Sequence, residues 1–176
     1  MFKIIALVVA VALAGVLIYA ATRPDTFSVQ RSLAIKAPPE KIFPLIENFH
    51  RWSEWSPYEK LDPEMKRSYT GPDSGPGAAY AWDGSSKVGA GSMEILRTSV
   101  PGSIVIKLDF IRPITGHNTA TFTLENAGDT TTVTWIMAGP SPYISKLMGL
   151  FFNMDQMIGK DFETGLANLK RIAERQ

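Results

Sequence analysis

The chain has 176 residues, of which 45% are hydrophobic and 20% are charged, a composition ordinary for one globular domain. Its 18 Lys and Arg side chains nearly balance 17 Asp and Glu, so we predict no nucleic-acid partner. The sequence contains no cysteine and only two histidines, His50 and His117. This excludes cysteine chemistry and multi-histidine metal sites, and we predict neither a bound metal nor a cofactor.

The N-terminus is apolar. Ile4 to Ala21 reads IIALVVAVALAGVLIYAA, without a charged side chain, and a helix of this length spans roughly 27 Å, close to the hydrocarbon thickness of a bilayer. We predict a single-pass transmembrane anchor over residues 1–22 and a tether over 23–27. The alternative is a cleaved signal peptide, but cleavage after Ala12-Leu13-Ala14 would leave GVLIYAA exposed on the mature chain.

The charges beside this segment bear on its orientation in the membrane. Lys3 precedes it, whereas Arg23 and Arg31 follow it, so the positive-inside rule leaves a small margin. We favour an extracytoplasmic domain over a cytoplasmic one.

The domain proper, residues 28–176, begins with a strand pattern in SVQRSLAIK, where Val29, Leu33 and Ile35 share one face. APPEKIFPLIENF then predicts a helix that Pro44 makes irregular. The segment FHRWSEWSPYEK follows, and its Trp52 and Trp55 lie on one side of a single helical turn. We expect at least one of these rings, in particular Trp55, to be buried at the rim of a cavity.

Five later stretches alternate apolar and polar side chains, as in an antiparallel sheet with one apolar face. They are AAYAWDG, GSMEILRTS, SIVIKLDFI, NTATFTLE and TTTVTWIMAG. From Ser141-Pro142, which suits a helix start, apolar side chains recur at three- and four-residue steps to the C-terminus. The pattern predicts one long helix, which covers the apolar face of the sheet.

This order of elements resembles the helix-grip fold of the START-like superfamily, often called SRPBCC, and specifically its polyketide cyclase/dehydrase-like branch. The matching stretches are RSLAIKAPPEKIFPLIENFHRWSEWSPYE, YAWDGSSKVGAGSMEI and MGLFFNMDQMIGKDFETGLANLKRIAE. The resemblance implies an α+β fold, a curved antiparallel sheet wrapped around the long C-terminal helix. It also implies a deep apolar cavity between them that binds lipids, polyketides or other hydrophobic molecules.

Applied to the faces of these strands and helices, the resemblance predicts a set of ligand-binding side chains. They are Trp52, Trp55, Tyr80, Trp82, Met93, Ile106, Leu108, Phe110, Phe122, Trp135, Met154, Ile158 and Phe162. The branch supplies no fixed catalytic motif, and the candidates for an acid, a base or an oxyanion donor are Tyr80, His50 and Asn118. Strand parity directs His117 outward.

Three functions compete at this point. The leading hypothesis is a membrane-anchored module that binds a hydrophobic small molecule or lipid. The first alternative is a cyclase/dehydrase-like enzyme that uses the same cavity. The second is an interaction protein with a collapsed cavity, whose Trp52–Trp55 surface contacts a partner or the bilayer. The sequence leaves the ligand and the oligomeric state open.

Overall fold

The computed structural model describes residues 1–175 and contains one seven-stranded antiparallel sheet. The strands are β1 (Thr26–Ile35), β2 (Lys66–Thr70), β3 (Ala79–Asp83), β4 (Ala90–Ser99), β5 (Ser103–Arg112), β6 (Gly116–Ala127) and β7 (Thr130–Pro140). The helices are α1 (Phe2–Ala21), α2 (Pro39–Glu47), α3 (Trp52–Trp55), α4 (Tyr58–Leu61), α5 (Tyr143–Met148) and α6 (Met154–Ala173), with a 3₁₀ turn at Phe49–Arg51.

The spatial order of the strands is β1-β7-β6-β5-β4-β3-β2. The chain leaves β1, crosses to the far edge through α2, α3 and α4, and returns strand by strand until β7 pairs with β1. The sheet curves around α6, so the predicted helix-grip fold is confirmed. The edge strand β2 was not predicted, because its side chains are mostly exposed and carry no apolar alternation.

Strand alternation sets which side chains face α6. On β6 and β7, Phe122 pairs with Trp135 in register and both are buried, while the threonines between them face outward. The glycines before Met93 mark an irregularity, since the β4–β5 register shifts between Ala90 and Gly91. A Cβ on Gly91 would lie 2.5 Å from the Trp82 ring, so this glycine lets the indole pack against the strand.

The C-terminal apolar pattern forms two helices, where the sequence predicted one. The break at residues 149–153 ends at Asn153, whose side chain accepts a hydrogen bond from the Gln156 backbone N–H at 3.0 Å and caps α6. Pro142, rather than Ser141, is the N-cap of α5. Side-chain capping therefore overrides the continuous hydrophobic periodicity.

A charged group ties the start of α6 to the first strand. Arg31 of β1 contacts Asp155 at 3.0 Å and Glu163 at 2.7 Å, and its guanidinium lies over Gly159. These hydrogen bonds raise the pKa of Arg31 and lower that of Asp155. The sheet and helix are thus joined by ion pairs at this end and by apolar packing farther along.

The helix α1 stands outside the packed domain. By length and composition it is able to cross a membrane, and of its side chains in the described structure only Ala20 is buried. It contacts α5, where the Tyr143 hydroxyl donates to the Leu17 carbonyl at 3.0 Å. The hydrophobic core begins at Val29 and includes no side chain of α1, so residues 23–176 carry their own core.

Candidate functional site

A cavity of about 710 Å³ lies between the sheet and α6, within the size range of small-molecule sites. Its wall is built by the inward faces of β3 to β7, by α3 and α4, and by the first turns of α6. The buried side chains that line it are Trp52, Ser56, Glu59, Met65, Tyr80, Met93, Leu108, Ala120, Trp135, Met137 and Phe162. Most are apolar, and the open cavity argues against the second alternative, an interaction protein with a collapsed cavity.

The rim of the cavity is exposed to solvent and lies beside α1. Exposed side chains of the lining are Asp25, Lys87, Ile114, Thr115, His117, Pro140, Pro142, Met154 and Met157. Asp25 pairs with Lys146 of α5 at 2.5 Å, and this contact lowers the pKa of the Asp25 carboxyl. The open side of the cavity therefore adjoins the end of the apolar N-terminal helix.

Most of the side chains predicted to bind ligand line this cavity. They are Trp52, Tyr80, Trp82, Met93, Leu108, Phe110, Trp135, Met154, Ile158 and Phe162. Trp55, Ile106 and Phe122 instead lie in the core, each fully buried and outside the cavity wall. Alternation identifies the inward face of a strand, but it does not show where along that face close packing ends and open space begins.

The two tryptophans that the sequence placed at the rim have different surroundings. The Trp52 indole lines the cavity and donates to the Ile46 carbonyl at 2.8 Å. The Trp55 indole donates to the Leu45 carbonyl at 2.9 Å and packs against Phe122. Because both are buried, they form no exposed docking surface, and the predicted rim position of Trp55 is wrong.

A stacked aromatic pair joins α6 to β7 in the cavity wall. The rings of Trp135 and Phe162 are 4.0 Å apart and nearly parallel, and Trp52 and Trp55 meet the Trp135 indole edge-on. Within the described residues, Trp135 Nε1 is buried without a hydrogen-bond partner. This wall therefore holds one unsatisfied donor.

The three catalytic candidates do not come together. Tyr80 and Asn118 lie in the cavity wall. His50 is exposed, stacks on Tyr69 at 3.9 Å and lines a separate pocket of about 250 Å³. His117 is exposed, but it lines the cavity, although parity predicted that it faces away from it, and its Nδ1 lies 2.8 Å from Asp109.

A buried carboxylate that the sequence did not reveal lies where α4 and β3 form the cavity wall, a part of the cavity that we call its inner end. Glu59 of α4 is 8% exposed. It accepts a hydrogen bond from the Tyr80 hydroxyl at 2.6 Å and another from Arg67 Nε at 2.7 Å. We call Glu59, Tyr80 and Arg67 the Glu59 cluster. The sequence of α4, YEKL, is typical of an exposed polar turn. Glu59 is buried because β2 and β3 pack against this turn.

Burial and charge set the protonation states of the titratable side chains in this part of the cavity wall. Burial, together with the neighbouring Glu59 carboxylate, raises the pKa of Tyr80 far above its usual range, so the phenol keeps its proton. The hydrogen bond to Glu59 raises the pKa of Arg67. Burial raises the pKa of Asp161 on α6. Burial, together with the neighbouring Asp161 carboxylate, also raises the pKa of Tyr58, the residue before Glu59.

The fold resembles several solved structures at low sequence identity. Protein CV1439 from Chromobacterium violaceum is 15% identical, with 86% of this chain and 99% of that one covered and a TM-score of 0.60. The di-domain ARO/CYC protein BexL from the BE-7585A biosynthetic pathway is 17% identical, with 89% of this chain and 53% of that one covered and a TM-score of 0.63. Ara h 8.0201 is 11% identical, with 86% and 99% covered and a TM-score of 0.57.

Among curated protein sequences, none matches the chain. Residues 26–174, the whole of the sheet and the helices that pack on it, match the family described as "Polyketide cyclase / dehydrase and lipid transport". The match agrees with the helix-grip architecture, with its cavity between sheet and helix, and with the resemblance seen in the sequence. The chain therefore belongs to the polyketide cyclase/dehydrase and lipid transport family.

Proposed function

We propose that this protein is a membrane-anchored module that binds a hydrophobic small molecule or lipid in the cavity between the sheet and α6. The observation that carries the proposal is the cavity itself, about 710 Å³ in volume with a mainly apolar buried wall. Empty apolar space of this size costs packing energy in a domain. Occupancy by an apolar molecule offsets that cost.

The rim of the cavity supports the membrane part of the proposal. The Tyr143–Leu17 hydrogen bond joins α5 to the last turns of α1, close to the depth at which tyrosine favours the bilayer interface. Large apolar side chains surround this contact without being covered, among them Ile144, Phe151 and Phe152. If α1 spans a bilayer, ligand passes between membrane and cavity without crossing water. We also propose that the domain lies on the extracytoplasmic side of the membrane. A reporter fused to the C-terminus, active on one side of the membrane only, tests this orientation.

A cyclase-like reaction is the second candidate, because the Tyr80–Glu59 hydrogen bond puts a phenol and a carboxylate in the cavity wall. Turnover of a polyketide substrate that is lost in Tyr80→Phe would favour it over binding alone. Retained turnover in that variant would remove Tyr80 from the chemistry.

The binding function is tested on the full chain, extracted from its native host in polymer-bounded membrane discs. Mass spectrometry of copurified molecules compares the wild type with Ala120→Phe, which fills the cavity, and with Ala138→Phe. Ala120 is buried in the lining, whereas Ala138 belongs to the opposite face of β7. We expect a hydrophobic molecule enriched in the wild type and in Ala138→Phe and lost in Ala120→Phe. Equal amounts in all three, or none, would contradict the proposal.

A further inference from the structure

The charged side chains of the cavity lining are mainly acidic. Carboxylates enter the lining from Asp25 at the rim, from Glu59 at the inner end and from Asp161 on α6. Among the described residues, Lys87 is the only lysine or arginine of the lining, and it is exposed. An anionic ligand group at the inner end would meet Glu59, whose cationic partner Arg67 contacts that carboxylate and does not line the cavity.

Arg67 does not supply that cation, because its N–H groups are used within the protein. Besides the bond to Glu59, it donates to the carbonyls of Met65 at 2.7 Å and Pro63 at 3.2 Å. Its other terminal nitrogen lies 3.4 and 3.5 Å from the carbonyls of Glu59 and Asp62. Arg67 is also absent from the cavity lining.

Tyr80 and Glu59 therefore present acceptors. The Tyr80 proton is directed to Glu59, which leaves the lone pairs of the phenol oxygen, and each carboxylate oxygen accepts more than one hydrogen bond. Nearby indole donors are occupied, since Trp52 and Trp82 donate to the carbonyls of Ile46 and Val88. The unpartnered Trp135 N–H is neutral, and one neutral donor does not offset the burial of a carboxylate.

We propose that the inner end of the cavity selects uncharged ligands that carry a hydroxyl group and rejects ligands that carry a carboxylate. This inference rests on the proposed function, that a hydrophobic molecule occupies the cavity. A ligand hydroxyl donates to the acceptors of Tyr80 and Glu59. A ligand carboxylate would be buried beside Glu59 without a cation of its own, because Arg67 already neutralises Glu59 and its N–H groups are used within the protein.

The test uses residues 23–176, which carry their own core, and a neutral fluorescent probe, N-phenyl-1-naphthylamine. Displacement of this probe is compared for 1-decanol and decanoate, which share chain length and differ in the polar group, at about pH 8, where the acid is ionised. We expect 1-decanol to bind at least about tenfold more tightly. Decanoate that competes equally or better, while the probe binds, would overturn the inference alone. Failure of the probe to bind would overturn the proposed function and the inference with it.

Two variants locate the selection. In Glu59→Gln we expect the preference to fall to about threefold, because the charge is removed while an acceptor remains. The matched control is Glu54→Gln, whose carboxylate pairs with Arg51 on the surface, and it should keep the wild-type ratio. If Glu59→Gln fails to fold, Tyr80→Phe decides the question. Measured relative to the probe in the same variant, the affinity for 1-decanol should fall about fivefold, whereas that for decanoate should not fall. A wild-type ratio in both variants would contradict the assignment.

Discussion

The two ends of α6 are both apolar, but they pack in opposite ways. In the C-terminal half, Leu166 and Leu169 are each at most 1% exposed, whereas Phe151 just before the helix is 72% exposed and Met157 in its first turns is 58% exposed. The buried end faces the aromatic wall of Trp135 and Trp55, with Gly165 between them. The exposed end lies over the cavity rim.

The difference shows how one helix serves stability and binding in separate segments. Close contact at the Leu166 end buries apolar area and so stabilises the domain. At the Met157 end the helix is attached to β1 mainly through the surface ion pairs of Arg31, which contribute little. Binding surfaces belong to the less stable parts of a fold, and the cavity opens at that part of this helix.

The largest expected effect comes from the packed end. Trp55→Ala should lower the free energy of unfolding by about 3–5 kcal/mol, because it empties the space between Leu45, Phe122 and Gly165. Met157→Ala at the open end is the control and should change it by less than about 0.5 kcal/mol. Urea unfolding of residues 23–176, followed by tryptophan fluorescence and circular dichroism, measures both. Similar costs at the two ends would remove the distinction between them.

The same contrast explains what the sequence predicted and what it did not. Alternation in β4 to β7 and the helical spacing of Phe162, Leu166 and Leu169 were sufficient for the architecture, because burial of one face is a local pattern. The pattern did not distinguish Phe122 in the core from Trp135 in the cavity wall. That distinction depends on which side chains of other elements fill the space opposite.

The polar part of the site was missed for a related reason. Glu59 is buried only because β2, an edge strand with no apolar alternation, brings Arg67 next to it. Charged side chains are rarely buried unless paired, and the pair joins two elements that the sequence did not identify. A contact of this kind is a property of the tertiary structure, so local periodicity carries no signal for it.

A second prediction, of a smaller effect, concerns how tightly the side chains at the inner end of the cavity are packed in comparison with the core. Arg67→Met removes the partner of Glu59 and should lower the free energy of unfolding by about 2 kcal/mol, because the carboxylate stays buried without its cation. Arg51→Met, which breaks the surface pair with Glu54, should cost less than about 1 kcal/mol. Thermal and urea unfolding at neutral pH compare the two. Equal costs would mean that the Glu59 cluster is solvated and loosely held.

The smallest effect compares two glycines of α6, one at each end. A Cβ on Gly165 would lie 2.9 Å from the Trp135 ring and 3.2 Å from Pro57, and neither group has room to move in the core. A Cβ on Gly159 would meet the Arg31 guanidinium, which can move only by giving up its ion pairs with Asp155 and Glu163, and these contribute little. Both alanine substitutions gain about 1 kcal/mol of helix propensity. Because overpacking costs about 1–3 kcal/mol, Gly165→Ala should be destabilised by about 1 kcal/mol, while Gly159→Ala should stay within about 0.5 kcal/mol of the wild type. Urea titrations of the two variants measure both changes in the free energy of unfolding. A stabilised Gly165→Ala would show that the packed end of α6 has room for an added methyl group, despite the burial of Phe162 and Leu166.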